Sequence, residues 1–196
     1  MKKFLTFATF LIIIISNGSK VYSIEADIFV QSTVNRASEA LNNKFSKEEK
    51  IEKLKMIASE TVDIRGIGFY TLGAYRKNIT ENQIKQYEAL FEQYFLKSFS
   101  SRLAEYSNPE IEVVSKKKLN ENYTMVSSIL VSTEKRPEVK IDWRIYTKDS
   151  ENLMIRDLII EGLSLARTQK EEFSSIIQSN DGDINALFAA LKEFIK

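Results

Sequence analysis

The sequence predicts an α+β fold: a four-stranded antiparallel twisted sheet packed by helices. Three observations in the 196 residues carry this. Up to Asn108-Pro109 the apolar residues recur at helical spacing. From there to about Glu161 they recur every second residue, in four runs separated by polar, turn-prone stretches. After Gly162 the helical spacing returns. Blocks of helix and strand that follow one another, instead of alternating, favour an antiparallel meander with helices on one face.

The chain opens with Met1-Lys2-Lys3 and an apolar run over residues 4–15, interrupted only by threonines. The run falls short of the roughly 20 residues that span a bilayer. Val21-Tyr22-Ser23 suits cleavage, so residues 1–23 read as a cleaved secretory signal peptide and residues 24–196 as one domain. An exported, periplasmic destination is the expectation. Val30, Val34, Ala37 and Leu41 mark one face of a helix over 26–42. Ser46 with Glu49 has capping-box form and opens a helix to 59. Residues 62–75 read as irregular helix around Gly66, Gly68 and Gly73. Thr80 with Gln83 repeats the capping signal and begins the longest helix, ending near Tyr106.

Strands are expected over 111–114, 123–131, 139–146 and 153–161. The third is the clearest, because Val139, Ile141, Trp143 and Ile145 alternate with Lys140, Asp142, Arg144 and Tyr146. The inward face of the second is open between Met125/Ile129/Val131 and Val126/Leu130. Lys116-Lys117-Lys118, beside the first hairpin turn, reads as a solvated edge. Two helices finish the chain, over 168–179 and 183–195, joined by Asn180-Asp181-Gly182. No repeat or flexible linker divides the domain.

Composition removes several function classes. Histidine is absent, and with it Ser-His-Asp catalysis, the usual proton shuttle and the commonest metal ligand. Cysteine is absent too, so neither disulfides nor a lipidated cysteine hold the chain. The formal charge is +1; loss of Lys2, Lys3 and Lys20 leaves 25 basic side chains against 27 acidic ones, or −2. A nearly neutral domain gives no reason to expect nucleic acid as a partner.

The apparent motifs are weak. Gly66-Ile67-Gly68 lacks the third glycine and the preceding strand of a dinucleotide loop. Gly162-Leu163-Ser164-Leu165-Ala166 approximates a nucleophile elbow but has no histidine to activate the serine, and Ser164 reads as a helix-starting residue. Asp181-Gly182-Asp183 lacks the ligand series of an EF-hand loop and reads as a C-cap followed by an N-cap. Glu48-Glu49 and Glu171-Glu172 are adjacent on their helices and diverge. No catalytic residue, metal ligand or cofactor is expected. What stands out is an excess of large apolar side chains: Tyr87, Phe91, Tyr94, Phe95 and Phe99 on the long helix, and the apolar side of the Trp143 strand. Ordinary core explains most such stripes, but their width also suits an apolar ligand pocket.

Leu72, Gly73 and Tyr75, the helix ending Ala104-Glu105-Tyr106, and Asp157, Glu161-Gly162 and Ser164 resemble the pattern of the MlaC/toluene-tolerance family from about residue 62 onward. The resemblance implies an apolar lipid pocket between a nuclear-transport-factor-like sheet and a helical part. It implies a non-enzymatic periplasmic carrier that holds phospholipid acyl chains. Such carriers pass lipid between an outer-membrane lipoprotein complex and an inner-membrane ABC transporter complex, maintaining outer-membrane lipid asymmetry. On that reading Leu72, Tyr75, Tyr87, Phe91, Tyr94, Phe95, Phe99, Ile141, Trp143, Ile145, Leu158, Ile160 and Leu163 line the pocket. Arg76 and Lys77 stand where many relatives carry an aromatic residue. With Arg144 and Arg167, and Arg65 beside them, they are candidates to meet a head group or a partner. The competing readings are an adaptor with a filled core and an enzyme with a carboxylate or tyrosine in the pocket.

Overall fold

The computed structural model describes residues 25–134 and 136–196; the expected signal peptide lies outside them. Six helices and one sheet form in the order α1 (Ala26–Ala40), α2 (Lys47–Thr61), α3 (Ile64–Leu72), α4 (Glu81–Leu103), β1 (Ile111–Lys118), β2 (Tyr123–Leu130), β3 (Val139–Tyr146), β4 (Met154–Ile160), β5 (Leu163–Ser164), α5 (Leu165–Gln178) and α6 (Ile184–Ile195). A 3₁₀ turn, Gly73–Lys77, follows α3. Among the described residues no helix is long and apolar enough to cross a membrane.

Both capping boxes form. Glu49 N–H donates to Ser46 Oγ at 3.2 Å, and Gln83 N–H to Thr80 Oγ1 at 3.2 Å, while each N-cap backbone N–H donates back to the side chain three residues on. Asp183 caps α6 behind Gly182, whose φ of 82° suits glycine and whose N–H closes α5 on the Ile177 carbonyl.

The sheet is antiparallel in the order β1-β2-β3-β4-β5, so the expected count of four is corrected to five. Glu161 (φ 50°) and Gly162 (φ 83°) both take positive φ, the geometry of a tight two-residue hairpin, and fold Leu163–Ser164 back onto Ile160 and Ile159. A two-residue strand has no periodicity to read. Three further boundaries move, and the first is the end of α4, at Leu103 instead of near Tyr106. β1 runs to Lys118, which places the three lysines inside an exposed edge strand. Helix α5 starts at Leu165, three residues before the expected 168, because Ser164 caps it by accepting the Arg167 N–H at 3.1 Å.

Register settles the inward face of β2. Val126 opposes Trp143 and Ser128 opposes Ile141, so Val126, Ser128 and Leu130 face the core and Met125, Ser127 and Ile129 do not. A bulge in β4 sets Arg144 opposite Asp157 and Ile145 opposite Ile155. The extra residue, Arg156, pairs with Asp63 at 2.5 Å and lies over the Tyr146 ring. Asp63 N–H donates to the Ile155 carbonyl, so this pair and that bond staple the start of α3 to the sheet. The main core joins all of α1 to α6, with Ala58 from α2, to the inner sheet face; a smaller one joins Ala40, Leu41, Leu54, Ile57 and Ala104.

Candidate functional site

Along α4, Tyr87, Phe91, Phe95 and Phe99 recur every fourth residue and so stack into a row on one helix face. Neighbouring ring centroids lie 5.6, 6.1 and 5.6 Å apart along it. Phe173 of α5 meets Tyr87 and Phe91 edge-on, at 88° and 90°. From α6, Phe188 stacks on Tyr87 and Phe194 lies 4.8 Å from Tyr94. The row is graded. Tyr87 and Phe91 are 1% and 2% exposed, whereas Phe95 and Phe99 are half-buried.

The sheet shows the same grading. Trp143 and Ile145 are buried, Ile141, Leu158 and Ile160 are half-buried, and Leu163 is 59% exposed. Register aligns the less buried ones: Val113, Ser128, Ile141, Ile160 and Leu163 form one rung across all five strands. Leu163 thus sits on the inner face at the sheet's edge and is exposed there. Leu72 is fully buried and Tyr75 packs half-buried on the core.

Polar atoms inside this apolar region are paired. Trp143 Nε1–H donates to Ser128 Oγ at 2.8 Å, which explains a fully buried serine in the rung. Tyr87 Oη and Thr71 Oγ1 are 2.8 Å apart, and Thr71 donates to the Gly68 carbonyl. Burial raises the Tyr87 pKa far above the ordinary tyrosine value, against the smaller opposing effect of Thr71. Tyr94, which donates to Gln169 at 2.8 Å, is raised chiefly by burial and further by Glu172. Neither phenol is poised to act as a base near neutral pH.

Two clefts flank α3. One, of about 340 Å³, opens between α3 and α4; Val62, Ile64, Gly68, Phe69, Tyr87, Phe91 and Met154 line it together with the polar Ser59, Asp63, Arg65, Glu88 and Glu92. Of the expected lining residues, Tyr87 and Phe91 reach it. The other, of about 440 Å³, lies between Tyr70 and the outer face of α5 and is lined by polar side chains including Arg167 and Lys170.

The cations do not form one set. Arg76 and Lys77 are exposed in the 3₁₀ turn, Arg167 is exposed on α5, and Arg65 pairs with Glu88 at 2.7 Å. Arg144 lies 3.5 Å from Asp157 and is partly exposed. Asp157 is itself 3% exposed and accepts from Ser164 Oγ at 2.6 Å and from Ala166 N–H at 3.1 Å. It therefore anchors the start of α5 to β4. Ser164 is a capping residue, as its sequence context suggests.

The family model described as MlaC protein matches residues 31–193. The chain belongs to the MlaC family. The match begins about thirty residues before the stretch whose motifs reveal the resemblance, so α1 and α2 belong to the MlaC domain too. Among solved structures, the MlaC-family chain is similar to the phospholipid-binding protein from Ralstonia solanacearum, which was solved in complex with a phospholipid. The TM-score is 0.73 at 18% identity, over 88% of this chain and 97% of that one. The two share their fold.

Proposed function

We propose that this MlaC-family protein is a non-enzymatic periplasmic carrier. In this role it holds phospholipid acyl chains between the α4 aromatic row and the inner sheet face, and exchanges lipid with outer- and inner-membrane complexes to maintain outer-membrane lipid asymmetry. The observation that carries the reading is the graded apolar surface: Phe95 and Phe99 on the helix and Ile141, Leu158 and Ile160 on the sheet adjoin the core yet remain half-buried. A phospholipid complex of the same fold supports it. Each buried methylene is worth about 0.8 kcal/mol, so two acyl chains exposed to water cost tens of kcal/mol. A dry pocket exchanges bilayer for another apolar medium, and the small net change suits reversible loading.

Native mass spectrometry of the exported protein, with lipid extraction, tests this. Roughly one phospholipid per chain is expected, as for a single enclosed pocket. Phe95→Glu should lower that load by placing a charge on apolar surface. An undiminished load in a folded variant removes Phe95 from the site. The packing of Tyr87 against Phe91, Phe173 and Phe188 favours a second reading, an adaptor with a filled core. A reproducibly empty chain would select it.

A further inference from the structure

The cleft between α3 and α4 has an apolar floor and a charged rim, and it leads to the most buried end of the aromatic row. Its walls include Phe69 and Met154, which no helical or strand stripe singles out, and its floor is Tyr87 and Phe91. Gly68 keeps this seam narrow. A Cβ there would stand 2.8 Å from the Phe91 ring, so α3 and α4 approach each other as closely as a glycine permits. Across the rim, Arg65 of α3 donates from Nε to Glu88 of α4 at 2.7 Å, and its guanidinium covers the Phe69 ring at 5.0 Å. Arg65 therefore ties the two helices together through Glu88 and covers an aromatic wall of the cleft.

Such a seam has the parts that a hydrocarbon chain needs. Tyr87 and Phe91 offer apolar surface at its floor, and beyond them the aromatic row of α4 runs on to Phe95 and Phe99, which do not line the cleft. The closure at its mouth is ionic, partly exposed and hence weak. We propose that one acyl chain of a phospholipid enters the core through the α3–α4 seam, and that Arg65–Glu88 is the latch that must part to admit it. This rests on the carrier reading and adds the route. The start of α3, next to Arg65, is held to the sheet because Asp63 is bonded to Arg156 and to the Ile155 backbone, so the latch parts by movement of the Arg65 and Glu88 side chains. Gly73, with φ 55°, ends the helix at its other end.

The chain has no cysteine, so the double variant R65C/E88C carries just two thiols. A bifunctional methanethiosulfonate reagent tethers them, and dithiothreitol releases the tether. Uptake of an NBD-acyl phosphatidylglycerol from phosphatidylethanolamine/phosphatidylglycerol vesicles is then followed by fluorescence. Tethering should slow uptake by roughly tenfold or more, as when closure limits a rate, and dithiothreitol should restore it. Glu88→Gln, which releases the latch without a tether, should speed uptake by about two- to fivefold, the size of a partly exposed ion pair. Uptake at the untethered rate in the tethered chain overturns the proposal, as does a Glu88→Gln chain no faster than the unaltered protein. If the unaltered protein takes up nothing and carries no lipid, the carrier reading falls and the seam with it. Uptake that ignores the tether removes the seam alone.

Discussion

Ser128→Ala tests the packing beneath the proposed site through one buried bond. The Ser128 side chain is fully buried, and its Oγ is the partner of the Trp143 indole N–H at 2.8 Å. Removing it leaves the indole donor without its acceptor beside Val126 and Ile141. Leaving one buried polar group unpaired costs about 1–3 kcal/mol. For a domain of this length each kcal/mol lowers Tm by roughly 2–4 °C, so a fall of about 4–8 °C corresponds to the middle of the range. Trp143→Phe removes the donor, and Ser128 Oγ still reaches the Ile141 carbonyl at 3.3 Å. In that background Ser128→Ala should cost about 1–2 kcal/mol less than in the unaltered chain, the coupling expected of a direct contact. Urea unfolding gives both free energies. Trp143 is the only tryptophan, so its emission reports the same site. Additive costs, or an Ser128→Ala chain within about 0.5 kcal/mol of the parent, would show that the indole N–H does not depend on Ser128.

Three other outcomes follow from the geometry. Because burial raises the Tyr87 pKa, the folded chain keeps its phenolic proton where the unfolded chain has lost it. Stability is therefore full below about pH 10 and falls as pH rises above it, and urea titrations at successive pH values should show Tyr87→Phe falling less steeply. Asp157→Asn should cost about 2–4 kcal/mol in the same assay. It weakens the anchoring of α5 through Ser164 and Ala166 and leaves Arg144 without its counter-charge. Gly68→Ala in a helix ordinarily stabilises by about 1 kcal/mol. Here it should destabilise by about 1–3 kcal/mol because the new methyl meets the Phe91 ring, and a gain in Tm would refute the close approach.

What the sequence reveals and what it hides divide by range. The capping boxes at Ser46 and Thr80, the four-residue spacing of the aromatic row and the alternation around Trp143 are local, and each becomes the element it suggests. Ser128 is hidden because a serine argues against an inward face until its indole partner on the next strand is known. Gly68 gives no local sign of its purpose, since the ring it makes room for lies on another helix. The β4 bulge sets Arg144 opposite Asp157, a pairing between strands that the sequence does not display. β5 depends on two positive-φ residues and is too short to show a pattern. The onset of α5 is obscured because Leu165, its first residue, is exposed and Phe173 is the first large side chain it buries.

Helix α6 comes after every element it covers. Phe188 and Phe194 close over Tyr87 and Tyr94, and Lys97 Nζ donates to the Ile195 carbonyl. During synthesis, the part of the α4 aromatic face that α6 covers therefore stays open until some eighty further residues have been made. For that interval the nascent chain displays the kind of surface that holdase chaperones and neighbouring chains bind. Yield and aggregation should therefore depend on how quickly α6 arrives and docks, more than on the strength of any single contact in the finished molecule.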